Sequence, residues 1–414
     1  MANLLERASV VLTPTAYNNG EALCIKPDDG SGDFDFSRNS AATRVNAQGL
    51  VETIGINLPR INYEGFSFDG SGNIIPDSGC GSWLFEPQST NLITQSEDLT
   101  SWSNGGSTLT SGLTSPSGDN TAYSVLSGSG TSNRVQLTTN GLSVSTEHSV
   151  SVFVKKVGAD NKATLIFETA ETGRQGVSFN FDTKTLSNAS GTTSNRQVQQ
   201  LTNDWFRISY TFTTAATITS PNIQLNRSNP SQAAIYWGAQ VEVGNISSYI
   251  PTSGSTVTRN QYVCTNGGSL ATINSTEGVL YAEIAALAND GTRRYISLND
   301  GTSANDVRLY FDAVANKLIA LGKVSGITQF VMDTTSFTLT DFNKIAVKFS
   351  ENDFALWVNG AEVDTDTSGL VNAPNTFNQL TFDGNGLKFF GKTKCLAVWK
   401  EALSDQELTE LTTI

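Results

Sequence analysis

The sequence predicts an all-β protein in which two β-sandwich domains of jelly-roll type follow a small irregular N-terminal region. Only 16% of the 414 residues are charged, against roughly 25% in an ordinary soluble protein. Ser, Thr, Asn and 36 glycines fill the difference, which is typical of strand-rich surfaces with many turns. Segments in which apolar and polar residues alternate recur along most of the chain, and such alternation is the signature of half-buried strands.

The first region, residues 1–90, is dense in Gly, Asp, Asn and Pro. Its apolar residues occur in short pieces such as Ala8–Leu12. We therefore expect irregular structure with short strands. Such a region needs a partner subunit or the next domain to bury its apolar side chains.

The second region, residues 91–258, shows the clearest alternation. In HSVSVFVKK, Val150, Val152 and Val154 share one face of a strand. In NDWFRISYTF, Trp205 and Arg207 lie on the face opposite the alternating apolar residues. Frequent strands separated by Gly, Asn and Ser turns indicate a two-sheet sandwich.

The third region, residues 266–414, is expected to form a second sandwich. The segment FNKIAVKFSENDFALWVNGAEV predicts a hairpin, with Asn359-Gly360 supplying a turn of positive φ. A last strand, Leu396–Trp399, is followed by a short helix. Ser404 is expected to cap this helix, since a Glu stands three residues later in the pattern of a capping box.

Three N-terminal segments are highly specific: FSRNSAATRVNAQGLVE (Phe36–Glu52), NLPRINYEG (Asn57–Gly65) and WLFEPQSTNLITQSEDLTSW (Trp83–Trp102). Together they resemble the N-terminal module of many tailed-bacteriophage virion proteins, especially fibre, spike and appendage proteins. The run YWGAQVEVGNISSYIPTSGSTVTR (Tyr236–Arg259) resembles the closing stretch of a carbohydrate-binding-like sandwich from the same proteins. These resemblances imply a location on the virion.

The C-terminal region resembles a second family. Its hairpin and its ending, LAVWKEALSDQELTEL, are similar to those of laminin-G-like and concanavalin A-like lectin domains. This resemblance implies a lectin-like sandwich.

Charge and targeting signals exclude several classes of function. The formal net charge is −13, so the surface repels nucleic-acid phosphates and anionic lipid. No apolar run approaches the 18 residues of a membrane span, and the N-terminus lacks the pattern of a secretory signal. We therefore expect a protein made in the cytoplasm of a host bacterium and carried on the virion, without nucleic-acid binding or membrane insertion.

Candidate catalytic residues are scarce. The single histidine, His148, precedes an apolar strand and has no nucleophile motif beside it. The four cysteines lie far apart without CxxC pairing, which argues against zinc or redox chemistry. Free thiols and a disulfide such as Cys24–Cys80 are both open. We predict no catalytic residue, although carboxylate-pair glycosidase chemistry is not excluded by counting acids.

No cofactor is expected, with a structural calcium ion as the one exception. The turn segments NDGTSAND and DTDTSG supply the oxygen ligands that Ca²⁺ prefers. The weak candidate ligands are Asp300, Asp306, Asp364 and Asp366.

Sugar recognition would use aromatic rings, on which pyranose faces stack, and planar polar groups that bond hydroxyls. Alternation places several such residues opposite core-facing neighbours on their strands. A subunit interface or ordinary partial burial would give the same pattern. The candidates for glycan contact are Trp357, Tyr310, Arg308, Trp205 and Arg207.

The favoured function is a non-enzymatic virion adhesin, a tail fibre, spike or receptor-binding protein. Its N-terminal region would contact other virion proteins, and its distal domain would contact host surface polysaccharide. A homotrimer is expected, because three-fold closure buries strand edges. The alternatives are a capsid decoration or head-fibre protein and a tail spike enzyme that degrades polysaccharide.

Overall fold

The regular structure of the chain consists almost wholly of antiparallel strands. The computed structural model describes residues 2–68, 74–77, 79–130, 132–227, 229–384 and 386–414. Strands that pair into sandwich-like sheets account for nearly all of the regular structure, which confirms the all-β prediction. Neither α-helix in these residues has the length and apolar character needed to cross a membrane.

The N-terminal elements are α1 (Ala2–Arg7), β1 (Val10–Asn18), β2 (Glu21–Lys26), β3 (Phe34–Ser37), β4 (Ala42–Val45), β5 (Val51–Ile54), β6 (Ile61–Asn62), β7 (Phe66–Phe68), β8 (Ile74–Pro76), β9 (Ser82–Phe85) and β10 (Ser89–Asn91). The central elements are a 3₁₀ turn (Leu99–Ser101), β11 (Ser103–Asn104), β12 (Ser107–Leu113), β13 (Ala122–Ser127), β14 (Val135–Thr138), β15 (Glu147–Lys156), β16 (Lys162–Thr169), β17 (Gly173–Asn180), β18 (Thr185–Ser190), β19 (Ser194–Gln200), β20 (Trp205–Thr213), β21 (Asn222–Leu225), β22 (Ala233–Val243) and β23 (Val257–Arg259). The C-terminal elements are β24 (Val263–Thr265), β25 (Glu277–Ala286), β26 (Arg294–Asn299), β27 (Asp306–Phe311), β28 (Leu318–Val324), β29 (Ile327–Thr334), β30 (Asn343–Ser350), β31 (Asp353–Val358), β32 (Ala361–Asp366), β33 (Gln379–Thr381), β34 (Asp383–Gly384), β35 (Leu387–Lys388), β36 (Gly391–Trp399) and α2 (Asp405–Thr412).

The central region is a sandwich of two six-stranded sheets. One sheet has the order β11-β14-β21-β16-β17-β18, and the other has the order β12-β13-β22-β15-β20-β19. The alternating residues Val150, Val152 and Val154 face the shared core, together with Phe206 and Ile208 of β20. The predicted alternation therefore gives the correct inner face.

The C-terminal region is a second sandwich, in which an 11-stranded sheet faces a five-stranded one. The five-stranded sheet has the order β29-β28-β27-β26-β33. The predicted hairpin forms β30 and β31, whose residues Val347 and Leu356 are paired and buried in the core. Ser404 and Glu407 form the predicted capping box of α2.

The first region has the expected short strands, and another domain buries its apolar residues as expected, but it is not a separate irregular unit. Strand β1 pairs with β36, and β2, β3, β6 and β9 belong to the same 11-stranded sheet. Val10 and Leu12 lie in the sandwich core, while Val11 lies in the apolar cluster on the opposite face. A strand buried on both faces reads as a short continuous apolar run, which is what Val10–Leu12 is.

Helices α1 and α2 cover the outer face of the 11-stranded sheet. Leu4 of α1 and Leu408 and Leu411 of α2 pack there against Tyr281 and Trp399. The outer face of the five-stranded sheet has no helix among the described residues. The outward residues Tyr295 and Arg308 of this sheet are nevertheless buried, and Tyr310 is the one that is partly exposed beside them.

Candidate functional site

The outer face of the five-stranded sheet brings together two of the predicted site residues, Arg308 and Tyr310. Their neighbours Val307, Leu309 and Phe311 lie in the core, so the alternation of β27 places Arg308 and Tyr310 on the other side. The strand β26 adds residues that sequence reasoning missed. We call this surface the tyrosine face; it is formed by Tyr295, Ser297, Asn299, Asp306, Arg308 and Tyr310.

Two stacked tyrosines define this face. Tyr295 and Tyr310 are cross-strand partners, and their ring centroids lie 4.4 Å apart with planes inclined by 13°. Tyr295 is buried, whereas Tyr310 is half-buried and presents part of its side chain to solvent. Burial raises the pKa of both phenols, so the hydroxyls stay protonated at neutral pH and can both donate and accept hydrogen bonds.

A planar cation lies beside the tyrosines, and two amides lie at the other end of β26. The guanidinium carbon of Arg308 lies 5.8 Å from the ring centroid of Tyr295, within cation–π range. The side-chain amide of Gln379 donates to the Asn299 side-chain oxygen at 2.9 Å. Arg308 and Asn299 are only 5% and 7% exposed, so Arg308 is corrected from a glycan contact to a residue that supports the face, whereas Tyr310 and Gln379 are half-buried and present side-chain surface.

Asp306 is the buried acid of this face. It accepts a hydrogen bond from Arg308, and both side chains are almost fully buried. Burial raises the pKa of the Asp306 carboxyl to about 6, against the opposing attraction of Arg308. At neutral pH the two groups form an ion pair.

Asp306 should make stability depend on pH in a direction unusual for an aspartate. The pKa of Asp306 in the folded protein is above the ordinary value of 3.8. Its contribution to the free energy of unfolding is therefore fully present below about pH 4 and is lost as the pH rises through 6. We expect wild-type protein to lose up to about 3 kcal/mol relative to Asp306→Asn between pH 4 and pH 7. Chemical denaturation of both proteins across this range measures the difference.

Asp300 provides the matched control for this experiment. Burial would raise its pKa, but hydrogen bonds from Asn305 and Thr302 outweigh that effect and lower it. Asp300→Asn should therefore show no comparable change between pH 4 and pH 7. A pH-independent difference between wild type and Asp306→Asn would contradict the assignment.

The predicted calcium ligands do not converge. Within the described residues, no three His, Cys, Asp or Glu side chains lie close enough to hold one ion. Asp300 accepts from Thr302 and Asn305, and Asp366 accepts from Ser368 in its own turn. Asp364 accepts from the Asp333 backbone, and Asp306 pairs with Arg308. These acids are hydrogen-bond acceptors in loops and strands.

The structure corrects the expectation for Trp357. Its side chain does lie opposite Leu356 and Val358, as alternation predicts, but it is only 6% exposed. It packs among Leu408 and Leu411 of α2. Trp357 is therefore a packing residue beneath a helix and has no surface for a glycan.

Trp205 and Arg207 are also buried. Trp205 packs against Val45 and Tyr249, so it too is corrected from glycan contact to packing. Arg207 donates to the Ser247 carbonyl at 2.7 Å and to the Ser151 hydroxyl at 3.0 Å. Arg207 lies in a cleft between the parts of the chain rather than on an open sheet face.

The specific N-terminal segments supply a buried cluster of charged residues. Arg60 and Arg259 both pair with Glu86, and the Arg259–Glu86 distance is 2.9 Å. Both arginines are fully buried, and Glu86 is 3% exposed. Glu86 also accepts from the backbone and hydroxyl of Ser248, each at 2.7 Å. We call Arg60, Glu86 and Arg259 the buried charge cluster.

Arg38 of the segment FSRNS has a similar internal role. It donates to the carbonyls of Ser40 and Leu58 and to the hydroxyl of Tyr262. The Tyr262 ring lies between the guanidinium groups of Arg38 and Arg60, with centroid distances of 5.2 and 4.9 Å. The motif residues that we associated with virion attachment therefore hold the N-terminal segment to the rest of the fold.

His148 and the cysteines occupy ordinary structural positions. His148 is buried; its Nε2 accepts from the Ser143 backbone at 3.2 Å, and its Nδ1 lies 3.0 Å from the Thr146 carbonyl. Burial lowers the pKa of this imidazole. All four cysteines are free thiols; Cys24 is buried and Cys80 is exposed.

A comparison with known protein families found a match for the C-terminal sandwich. Residues 257–409 match a family described as the concanavalin A-like lectin/glucanases superfamily, Laminin_G_3. A comparison with curated proteins found no significant match.

Three solved structures are similar to parts of the chain. The CBM40 of Ruminococcus gnavus IT-sialidase, bound to alpha2,3 sialyllactose, is 17% identical with a TM-score of 0.29, over 34% of this chain and 83% of that one. Domain 4 of AbnA, a Geobacillus stearothermophilus arabinanase, in complex with arabinotriose, is 13% identical with a TM-score of 0.30, over 41% and 82%. A SAP-like pentraxin from Limulus polyphemus is 12% identical with a TM-score of 0.29, over 35% and 72%. The C-terminal sandwich is therefore similar, over residues 257–409, to lectin-like domains of the concanavalin A type.

Proposed function

We propose that this chain is a virion appendage protein of a tailed phage and that its tyrosine face binds glycan on the host cell surface. The observation that carries the proposal is the match of residues 257–409 to a lectin-like family, together with the five-stranded sheet that presents Tyr310, stacked on Tyr295, on a face that no described helix covers. The resemblance of the N-terminal segments to phage virion proteins supports the location.

The chemistry of the tyrosine face suits a sugar. A pyranose ring has apolar C–H faces, which pack on aromatic rings, and hydroxyls, which need donors and acceptors of fixed geometry. Tyr310 supplies part of an aromatic ring with a neutral hydroxyl. Gln379 and Asn299 supply planar amides at the neighbouring strand.

We propose binding without turnover. Glycoside hydrolysis ordinarily requires two carboxyl groups, about 5–10 Å apart, on either side of the scissile bond. Within the tyrosine face, Asp306 is the single carboxylate, and it is already paired with Arg308.

Replacing Tyr310 with alanine should weaken glycan binding about tenfold or more. The change removes the ring contact and the hydroxyl, worth together on the order of 1.5–2.5 kcal/mol. An array of bacterial surface polysaccharides, followed by titration of the best ligand, measures the loss. Ile327→Ala is the control, because Ile327 is 67% exposed at the turn between β28 and β29 and lies outside the tyrosine face.

Tyr310→Ala protein that binds the best ligand as tightly as wild type would contradict the assignment of this face.

The virion location is tested separately, by mass spectrometry of purified phage particles. Appendage proteins are structural components, so the chain should be present at a fixed number of copies per particle. Its absence from purified particles would contradict the virion proposal without affecting the lectin-like domain. The homotrimer remains a prediction, for which the solution mass should be three times 44.2 kDa.

A further inference from the structure

A cleft of about 710 Å³ lies where the N-terminal segment, the central sandwich and the C-terminal domain meet. Its volume falls within the range of roughly 300–1,000 Å³ that is usual for ligand pockets. We call it the junction cleft; the lining residues that matter here are Ser149, Gln197, Gln199, Arg207, Ser209 and Arg294.

The floor of the cleft is the outer face of a central sheet. Strand β19 is the edge of this sheet and pairs with β20, so that Gln197 lies opposite Ser209 and Gln199 lies opposite Arg207. Val198 packs against the core, and its two glutamine neighbours therefore point to the same side as Arg207. The result is a row of neutral polar groups beside a guanidinium.

Several polar atoms of the cleft have no hydrogen-bond partner within the described residues. Ser149 is fully buried and Arg207 is 7% exposed, yet the Ser149 hydroxyl and the Arg207 Nε are both unpartnered. The Nε of Arg294, on the opposite wall, is also unpartnered. Each of these atoms is shielded from solvent beneath the cleft surface, so the polar groups that a ligand meets are the side-chain amides of Gln197, which is exposed, and Gln199, which is half-buried.

Most charged groups of the cleft wall are already paired. Arg294 contacts Asp290 at 2.8 Å, and Lys392 contacts Glu64 at 2.7 Å. Arg44 pairs with a glutamate of its own hairpin. Arg207 is the exception, since its guanidinium donates to the neutral Ser247 carbonyl and Ser151 hydroxyl, but it is only 7% exposed. The groups at the rim of the cleft are therefore neutral or paired, which favours an uncharged ligand over an anionic or cationic one.

The cleft also contains apolar surface. Phe390 is half-buried on the C-terminal wall, and Val243 is 48% exposed on the central wall. Apolar patches among amides and hydroxyls match the alternation of C–H faces and hydroxyls along a sugar chain.

We infer that the junction cleft is a second binding site, for an uncharged oligosaccharide of several sugar units. The inference shares its ligand class with the proposed function but uses different residues from the tyrosine face. In this arrangement Gln197 and Gln199 bond sugar hydroxyls at the rim, above the buried Arg207 and Ser149. A chain of sugars bound here would contact all three parts of the protein.

The test uses the full chain and a panel of neutral hexasaccharides built from glucose, mannose, galactose or xylose, with hexagalacturonate as the anionic comparison. Saturation-transfer NMR detects binding, and calorimetry gives the affinity. We expect at least one neutral hexasaccharide to bind, and the Gln197→Ala/Gln199→Ala double variant to bind it at least tenfold more weakly.

Two further variants make the result specific. Thr185→Ala/Ser187→Ala alters two exposed polar residues on β18, the edge strand of the other central sheet, and should bind as wild type. Tyr310→Ala should also keep its affinity for the hexasaccharide at the cleft. If Tyr310→Ala loses this binding while the glutamine variant keeps it, the cleft is excluded and the tyrosine face stands.

The inference is overturned if no neutral hexasaccharide binds, if the glutamine variant binds as wild type, or if hexagalacturonate binds more tightly than every neutral chain. Because both glutamines are at the rim and make no side-chain hydrogen bond to the described chain, the double variant should melt at the wild-type temperature.

Discussion

Glu86→Ala is expected to destabilise the folded protein by about 3–5 kcal/mol, because it leaves Arg60 and Arg259 buried without a counter-charge. Both arginines are fully buried and pair with the same carboxylate. The variant also removes the acceptor for the Ser248 backbone and hydroxyl. A loss this large should show in both thermal and denaturant unfolding.

Glu52→Ala is the matched control, since it also removes a glutamate from an arginine pair. The Arg44–Glu52 pair is 3.0 Å long, but its glutamate side chain is 42% exposed. Exposed pairs of this kind contribute about 0–1 kcal/mol. Equal, small losses in the two variants would show that the buried charge cluster does not hold the N-terminal segment in place.

The buried charge cluster also predicts sensitivity to acid. Burial alone would raise the pKa of Glu86, but the attraction of Arg259 and Arg60 outweighs it and lowers the pKa to about 2. The contribution of the Glu86 carboxylate to the free energy of unfolding is therefore fully present above about pH 4.5 and is lost as the pH falls toward 2. Acid unfolding of wild type should be steeper in this range than that of Glu86→Gln.

Trp357→Ala should cost about 3–5 kcal/mol of stability, the usual loss when a buried tryptophan is truncated. Trp357 fills the space between the 11-stranded sheet and α2, where it contacts the cluster that includes Leu408 and Leu411. At 6% exposure it has almost no surface for a ligand. Its replacement should leave glycan affinity unchanged at a temperature where the variant is folded.

Val331→Ala is the comparison for Trp357→Ala, because Val331 is 50% exposed on β29 and surface changes usually alter stability by less than about 0.5 kcal/mol. Differential scanning calorimetry measures both variants. A Trp357→Ala protein that melts near the wild-type temperature but no longer binds glycan would reverse our assignment, and Trp357 would be a ligand contact after all.

Local patterns in the sequence predict local structure well in this chain. The hairpin of β30 and β31 and the capping box of Ser404 and Glu407 depend on residues close together in the sequence. The pairing of β1 with β36 does not: Val11 lies opposite Ala397. Nothing in the short run at Ala8–Leu12 specifies a partner so distant, and the region was therefore expected to be irregular.

The candidate site also shows that a local sequence pattern cannot predict contacts with distant parts of the chain. Alternation assigns a residue to one face of its strand, and this placed Tyr310 and Trp357 correctly opposite their core-facing neighbours. It cannot say what covers the other face. Helix α2 covers Trp357, whereas no described helix covers Tyr310, and that difference arises from the packing of α2 on a particular sheet.

The junction cleft was missed for a related reason. Its residues come from three distant parts of the chain, and each part alone reads as ordinary polar strand or loop. The signal that was present is the polar character of the outer face of β15 and β20, where Ser149, Ser151 and Ser209 recur at every second position. Such a pattern indicates a solvated face as readily as a site.

The central claim, that the tyrosine face holds glycan, is tested most directly by ¹⁹F NMR of fluorotyrosine-labelled protein. The chain has ten tyrosines, and single Tyr→Phe variants assign the signals of Tyr295 and Tyr310. On titration with the polysaccharide that the array selects, we predict that these two signals shift, while that of Tyr281, beneath the helices, does not. Saturable binding that leaves both signals unchanged would contradict the account.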